Sequence, residues 1–111
     1  MSFDADEELQ RYAKGVKPED EGRVRAEFSP KMDQAQAAGA PRGLLDDARY
    51  LYRKMKEGRL SGWTWAALVG ALIYFISPID AVPDFIPILG WLDDAAVLSM
   101  VVAQLRKELG E

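Results

Sequence analysis

Four aspartates in the apolar second half of this sequence are the side chains there that could do chemistry. The charged residues between positions 59 and 106 are Asp80, Asp84, Asp93 and Asp94. Isolated carboxylates in apolar surroundings are costly, so they tend to be hydrogen-bonded, paired, protonated or bound to a metal ion. Their spacing predicts that they lie at one end of a helical structure, because a turn follows the first apolar segment and another helix follows the turn.

Several roles fit these carboxylates. In the structural role, which we favour, Asp93 or Asp94 caps the last helix, while Asp80 and Asp84 accept backbone N–H groups in proline-rich turns. The metal role is a hard-cation site for Ca²⁺, Mg²⁺ or Mn²⁺ with oxygen ligands only. An intramembrane proton or ion site and a catalytic carboxylate pair are two further alternatives.

The composition excludes many other kinds of site. The chain has 111 residues, no Cys and no His, and a formal net charge of −4. It therefore lacks the residues for a thiolate or His metal site, for cysteine nucleophiles and for Ser-His-Asp catalysis. The acidic balance argues against nucleic-acid binding through a broad basic surface. We predict that the protein is not an enzyme, has no cofactor and does not bind nucleic acid.

The clearest element that could position the aspartates is an amphipathic helix over residues 44–57. Its apolar residues share one helical stripe: Leu44, Leu45, Ala48, Leu51, Tyr52 and Met55. Gly58 is the expected stop. The stripe either packs against the later helices or lies along a membrane surface. In the second case the basic residues would face lipid headgroups: Arg49, Arg53, Lys54 and Lys56.

Residues 60–79 contain no charge and are expected to form a long apolar helix. As a helix, 20 residues extend roughly 30 Å, which is about the thickness of a bilayer's hydrocarbon core. A helix that is apolar on all faces is either central in a fold or within a membrane. Trp63, Trp65 and Tyr74 are placed as interfacial anchors would be. Pro78 ends the helix.

The last helix is expected to run from about Trp91 or Asp93 to Leu109. Small residues recur along it at Ala95, Ser99 and Ala103, and along the preceding helix as Ala66/Gly70 and Ala67/Ala71. Such ridges let two helices approach closely. We therefore predict an all-α fold, built on an antiparallel hairpin of apolar helices with the amphipathic helix before it. Residues 1–43 are predicted to be a polar, weakly structured segment and residues 44–109 the helical domain.

The segment from Tyr74 to Asp94 resembles the signature of the YkvA-like family, a small bacterial and plant domain of unknown function. The shared pattern is SPIDxxPDxxPxxGxxDD, and it includes all four aspartates. With the flanking helices the resemblance covers about residues 44–109. It implies a small helical domain that is often membrane-associated or multi-pass, and it implies no established activity.

The charge distribution predicts how such a protein would sit in a membrane. Basic residues precede the first apolar helix and follow the second, while the connection between them carries only Asp. This positive-inside pattern predicts two spans with both ends cytoplasmic. The second span would carry Asp93 and Asp94 into the bilayer, at a cost of roughly 2.5–3.5 kcal/mol each at its centre. A re-entrant hairpin, or one that lies in the interface, would avoid that cost.

We therefore expect a small membrane-associated helical protein, multi-pass or inserted as a hairpin. Its expected partner is membrane lipid, with a protein partner or self-association as a further expectation. The alternative is a soluble helical interaction module that carries an all-carboxylate cation site.

Overall fold

The computed structural model describes residues 5–60, 62–77 and 87–111, the last range with its side chains from residue 95 onward. The described residues form five α-helices: α1 (Ala5–Lys14), α2 (Asp20–Ala37), α3 (Arg42–Glu57), α4 (Gly62–Ile76) and α5 (Pro87–Leu109). No strand occurs among them, so the predicted all-α class is confirmed.

Helix α3 is the predicted amphipathic helix, and it begins two residues earlier than expected. Its buried face comprises Leu44, Leu45, Ala48, Tyr50, Leu51 and Met55. The helix ends at Gly58, whose φ of 71° is left-handed. Glycine adopts that conformation without a steric penalty, so Gly58 is the predicted stop. The predicted stripe therefore packs into the protein core.

Helix α4 lies at the centre of the fold. Its buried residues surround the helix axis: Ala67, Leu68, Val69, Gly70, Ala71, Leu72, Ile73, Phe75 and Ile76. The other four helices all contact it, and α1 does so most extensively. The predicted pairing of α4 with α5 is therefore only one part of the packing around α4. Although α4 and α5 do pack together, the apolar surface of α4 is shared among all four neighbours.

Helix α4 is also shorter than predicted. It has 15 residues instead of 20, which corresponds to about 22 Å. Ser77 caps its last turn by donating a hydrogen bond from Oγ to the carbonyl oxygen of Ile73, at 2.6 Å. In the parts of the chain that the structure describes, we find no helix with both the length and the apolar character needed to cross a membrane.

Helices α1 and α2 occupy the segment that we expected to be weakly structured. Phe28 of α2 stacks on Tyr52 of α3 with 4.1 Å between ring centroids and 4° between ring planes. The centroid of the Phe75 ring lies 6.1 Å from that of Phe28. These rings join α2, α3 and α4 in one core, which explains why a polar segment with few apolar residues is helical. The domain boundary after residue 43 stays a prediction.

Helices α1 and α4 approach each other closely at Gly70. A Cβ atom built on Gly70 would lie 3.0 Å from the backbone nitrogen of Ala13 and 3.1 Å from its Cα. The two backbones are therefore in direct contact at this point. The sequence predicted that Gly70 would pack against the last helix, and the structure places it against α1 instead.

Helix α5 begins at Pro87, before the expected start at about Trp91 or Asp93. Proline suits a first helical position because its φ is already helical and no backbone N–H is lost there. Asp93 and Asp94 are consequently the seventh and eighth residues of α5, so the expectation that one of them caps this helix is wrong.

The small residues of α5 do not form its packing face. Ser99 and Ala103 are exposed and Ala95 is half-buried. The helix packs through larger side chains, all of them buried: Val97, Leu98, Val101, Val102 and Leu105. The predicted small-residue ridge between α4 and α5 is therefore wrong, because the larger side chains of α5 supply the contact.

Candidate functional site

The side chains of the four predicted aspartates lie outside the part of the chain that the structure describes. Asp80 and Asp84 lie outside the described residues, and Asp93 and Asp94 are described only as backbone in α5. Among the described side chains, no three carboxylate, His or Cys groups are close enough together to hold a metal ion. The proposed cation site at these aspartates stays a prediction.

The structure gathers a different set of charged side chains at one end of the helical bundle. Lys54 of α3 donates a hydrogen bond to Glu111 beyond α5, with 2.9 Å between Nζ and Oε2. Thr64 in the first turn of α4 donates to Glu108 of α5, also at 2.9 Å. The end of α3, the start of α4 and the end of α5 therefore meet. We call residues 53–60 and 106–111, with Trp63 beside them, the basic end.

The basic end carries a charge opposite in sign to that of the whole protein. Residues 53–60 and 106–111 include six basic and three acidic side chains, in a chain whose net charge is −4. Five of the basic side chains are exposed: Arg53, Lys56, Arg59, Arg106 and Lys107. Part of this charge complements the negative carboxyl ends of α3 and α5. The surplus makes this end attractive to anions.

The basic end also holds the large apolar side chains that stay exposed in the described part of the protein. Trp63 is 49% exposed and Leu109 is 42% exposed. Each is one residue from the Thr64–Glu108 hydrogen bond, on α4 and α5 respectively. Trp65 follows two residues after Trp63 and so points to another side of α4. There its indole N–H donates to the Glu21 carboxylate of α2.

Tyr50 is the centre of the most extensive polar cluster at this end. Its ring is buried, and its hydroxyl donates a hydrogen bond to Glu111 with 2.6 Å between Oη and Oε1. Three cations surround the ring. The guanidinium of Arg106 lies 4.9 Å from the ring centroid, that of Arg53 lies 5.5 Å away, and Nζ of Lys54 lies 5.4 Å away.

The Glu111 carboxylate is held as an anion in a cationic setting. Hydrogen bonds from Lys54 and then from Tyr50 lower the pKa of Glu111 below its usual value of 4.5. The same bond to Glu111 raises the pKa of Lys54 above 10.5. Burial, and then the hydrogen bond to Glu111, raise the pKa of Tyr50 above 10.0. The phenol therefore keeps its proton at neutral pH and acts as a hydrogen-bond donor.

The local fold aims Glu111 at this cluster. Gly110 has a left-handed φ of 73° and reverses the chain after α5. The backbone N–H of Glu111 then donates to the carbonyl oxygen of Arg106 at 2.8 Å. This geometry belongs to a glycine C-cap, which satisfies a free carbonyl at the helix end. The carboxylate of Glu111 is thus brought back over α3 by the helix cap itself.

Two surface grooves lie among the described residues. One of about 160 Å³ opens beside the cluster, lined by Lys54, Glu57, Arg59, Leu60, Leu109 and Glu111. The other, of about 320 Å³, lies where α1, α2 and α4 meet, and its lining includes Tyr12, Asp20, Arg23 and Ile73. Neither lining includes a nucleophile beside a base, since both lack Ser, Thr and Cys, and the chain has no His.

The sequence indicated part of this site. The basic side chains of α3 were singled out as possible headgroup contacts, but Arg106 and Glu111 were not connected with Tyr50. Arg53 and Lys54 follow Tyr50 by three and four residues, and this spacing predicts that they lie beside it on the same side of the helix. The contribution of α5 required knowledge of how α3 and α5 pack.

Comparison with known proteins finds similarity for part of the chain. Residues 64–100 match the family described as "Protein of unknown function (DUF1232)". The chain is also similar to the "Uncharacterized membrane protein YkvA" of Bacillus subtilis (strain 168), with 42% identity over 48 residues. The match covers 43% of this chain and 45% of the relative, so it spans less than half of either. No solved structure matches.

Neither match indicates a catalytic activity. The matched segment, residues 64–100, extends from the first turn of α4 into α5 and includes the aspartate and proline motif. Residues 64–100 thus have the sequence of the DUF1232 family, and the predicted YkvA-like resemblance of this chain is confirmed.

Proposed function

We propose that this protein attaches to the surface of a membrane through its basic end. The observation that carries the proposal is the position of Trp63 and Leu109. These large apolar side chains are exposed at the end of the molecule where positive charge is in surplus. Tryptophan is enriched at membrane–water interfaces, and Lys and Arg side chains are attracted to anionic headgroups.

The fold supports attachment in the interface in place of the insertion predicted from the sequence. Helix α4 uses its apolar surface for contacts with the other four helices. Among the side chains that the structure describes, the large exposed apolar groups, Trp63 and Leu109, lie at the basic end. The similar protein of Bacillus subtilis is named a membrane protein, which supports the same location. The cytoplasmic face fits best, because its lipids are anionic and the charge pattern predicts cytoplasmic ends.

Vesicle flotation of the full chain tests this proposal. The protein is expected to float with vesicles of equimolar phosphatidylcholine and phosphatidylglycerol, and less with phosphatidylcholine alone. The double variant Trp63→Ser and Leu109→Ser should lose at least about tenfold in partitioning, because burial of each side chain contributes about 1–2 kcal/mol at this exposure.

Lys31→Ala provides a matched control for general charge effects. Nζ of Lys31 lies 5.9 Å from the ring centroid of Phe75. Phe75 is next to the last residue of α4, whereas Trp63 is next to the first, so Lys31 lies away from the basic end. This variant should float like the unchanged protein. If the unchanged protein stays in the bottom fraction with both vesicle types, the proposal is wrong. If the double variant floats as well as the unchanged protein, a different surface makes the contact.

A further inference from the structure

We infer that Tyr50, Lys54 and Arg106 form a binding site for a phosphate ester group, and that Glu111 occupies this site as an internal competitor. The inference deepens the proposed membrane attachment, since an anionic phospholipid headgroup would supply the phosphate. In the described structure the carboxylate of Glu111 stands where the phosphate oxygens would bind.

The donors of the cluster match an anion. One oxygen of Glu111 accepts a hydrogen bond from the Tyr50 hydroxyl at 2.6 Å, and the other accepts one from Lys54 Nζ at 2.9 Å. Arg106 stands over the same tyrosine ring at 4.9 Å from its centroid. A phosphate oxygen accepts from hydroxyl, ammonium and guanidinium groups in the same way as a carboxylate oxygen does, because all these bonds are charge-assisted.

The site is built by the fold and is open to a ligand. Tyr50 is buried at 7% exposure, so packing fixes the direction of its hydroxyl. Lys54 is held on the same helix, with only 13% of its side chain exposed. Glu111, by contrast, has 42% of its side chain exposed and is attached through one residue to the end of α5. The donors are therefore preorganised, while the occupant can swing away.

The position of the cluster points to a lipid. The groove beside it is lined by Lys54, Glu57, Arg59, Leu60, Leu109 and Glu111, so apolar and basic side chains line it together. Glu57 also lies 3.7 Å from Lys54 Nζ, so Lys54 keeps one acidic neighbour when Glu111 leaves. Trp63 and Leu109 are exposed at the same end of the bundle. A headgroup phosphate at Tyr50 and apolar side chains in the interfacial region would contact one bilayer together. Displacement of Glu111 would then accompany attachment.

Two charge-matched variants test the competitor role. Glu111→Gln and Glu108→Gln each remove one negative charge at the end of α5, but Glu108 is bonded to Thr64 and not to the tyrosine cluster. General attraction to an anionic surface should strengthen equally in both. Glu111→Gln also removes the competitor from the site. Its affinity for phosphatidylglycerol-containing vesicles should therefore rise by a further factor of about three to ten, because Glu111 is exposed and held by only two hydrogen bonds.

A second substitution tests whether that gain comes from the proposed donors. Tyr50→Phe removes only the hydroxyl and keeps the buried ring, so it should fold. Added to Glu111→Gln, it should abolish most of the extra gain. Equal binding by the two glutamine variants would overturn the competitor role, and an extra gain that survives Tyr50→Phe would overturn the assigned donor.

A soluble ligand distinguishes this inference from the membrane proposal. Glycerol phosphate is titrated into Glu111→Gln and followed through the NMR signals of the Tyr50 ring and the Lys54 ammonium. Saturable shifts, weaker in the unchanged protein, are expected. Saturation without binding to any vesicle would support a phosphate site and overturn the membrane proposal. Vesicle binding without a difference between the glutamine variants and without saturation would support the membrane proposal and overturn the phosphate site.

Discussion

The contact between α1 and α4 can be tested with a single methyl group at Gly70. A Cβ atom at this position would lie 3.0 Å from the Ala13 nitrogen, 3.1 Å from the Ala13 Cα and 3.3 Å from the carbonyl carbon of Tyr12. All three are backbone atoms, so no rotation of a side chain can relieve the overlap. Helix α1 must move away from α4 in Gly70→Ala.

The expected change in stability combines two opposing effects. Alanine is a better helix former than glycine by about 1 kcal/mol. Overpacking of a filled interior costs about 1–3 kcal/mol. Gly70→Ala should therefore lose up to about 2 kcal/mol of unfolding free energy. Gly22→Ala in α2 is the control, because nothing lies within 4 Å of its Cβ position and only the helix-propensity gain remains.

Urea unfolding followed by tryptophan fluorescence measures both variants. Gly70→Ala should be less stable than Gly22→Ala by about 1–3 kcal/mol, since the overpacking cost separates them. Amide hydrogen exchange should show the largest loss of protection in α1, where the displaced backbone lies. A Gly70→Ala protein as stable as Gly22→Ala, with α1 equally protected, would refute the close approach of the two helices.

Two further predictions concern hydrogen bonding and titration. Trp65→Phe removes the indole N–H that donates to Glu21, and should cost about 1 kcal/mol of stability; Trp63→Phe, at an exposed position, should change the melting temperature little. Burial raises the pKa of Asp47 above 3.8, and Arg106 only partly opposes this. The contribution of Asp47 to stability is thus greatest below pH 3.8 and falls as the pH rises through its folded pKa. Asp47→Asn should raise the melting temperature at pH 7, and that advantage should vanish in acid; an advantage that persists at the lowest pH would contradict it.

The elements that could be predicted from the sequence are those whose own pattern determines their environment. Helix α3 has a single apolar stripe and a glycine stop, so its end and most of its buried face followed from the residues. Burial of Tyr50 was not predicted, and Tyr52 of the predicted stripe is only half-buried. Helix α4 is apolar on all sides, and such a helix is equally suited to a protein centre or a bilayer. The choice between these depended on whether other segments cover it.

Helix α2, one of the helices that cover α4, was harder to predict from the sequence. Val24, Phe28, Met32 and Ala35 are the buried residues of α2, and their spacing is helical. They are few among many charged residues, so the segment resembled a solvated one. These few residues hold α2 in place because they pack against α3 and α4, as in the stacking of Phe28 on Tyr52.

The candidate site depended even more on tertiary packing. The basic residues of α3 were visible as a charged face, but two partners of Tyr50, Arg106 and Glu111, come from more than fifty positions later in the chain. No spacing rule relates residues so far apart. The predicted aspartate site differs in this respect. Its motif is evident in the sequence, but the site itself stays a prediction.

The order of the helices along the chain affects how the protein is made. Ribosomes synthesise proteins from the amino end, and early segments can fold before later ones appear. Helices α1, α2 and α3 therefore leave the ribosome before α4, the most apolar segment among them. When α4 emerges, three of the four helices that cover it in the finished fold are already present, and only α5 is still to come. Most of the apolar surface of α4 therefore has packing partners within the same chain as soon as that helix is made.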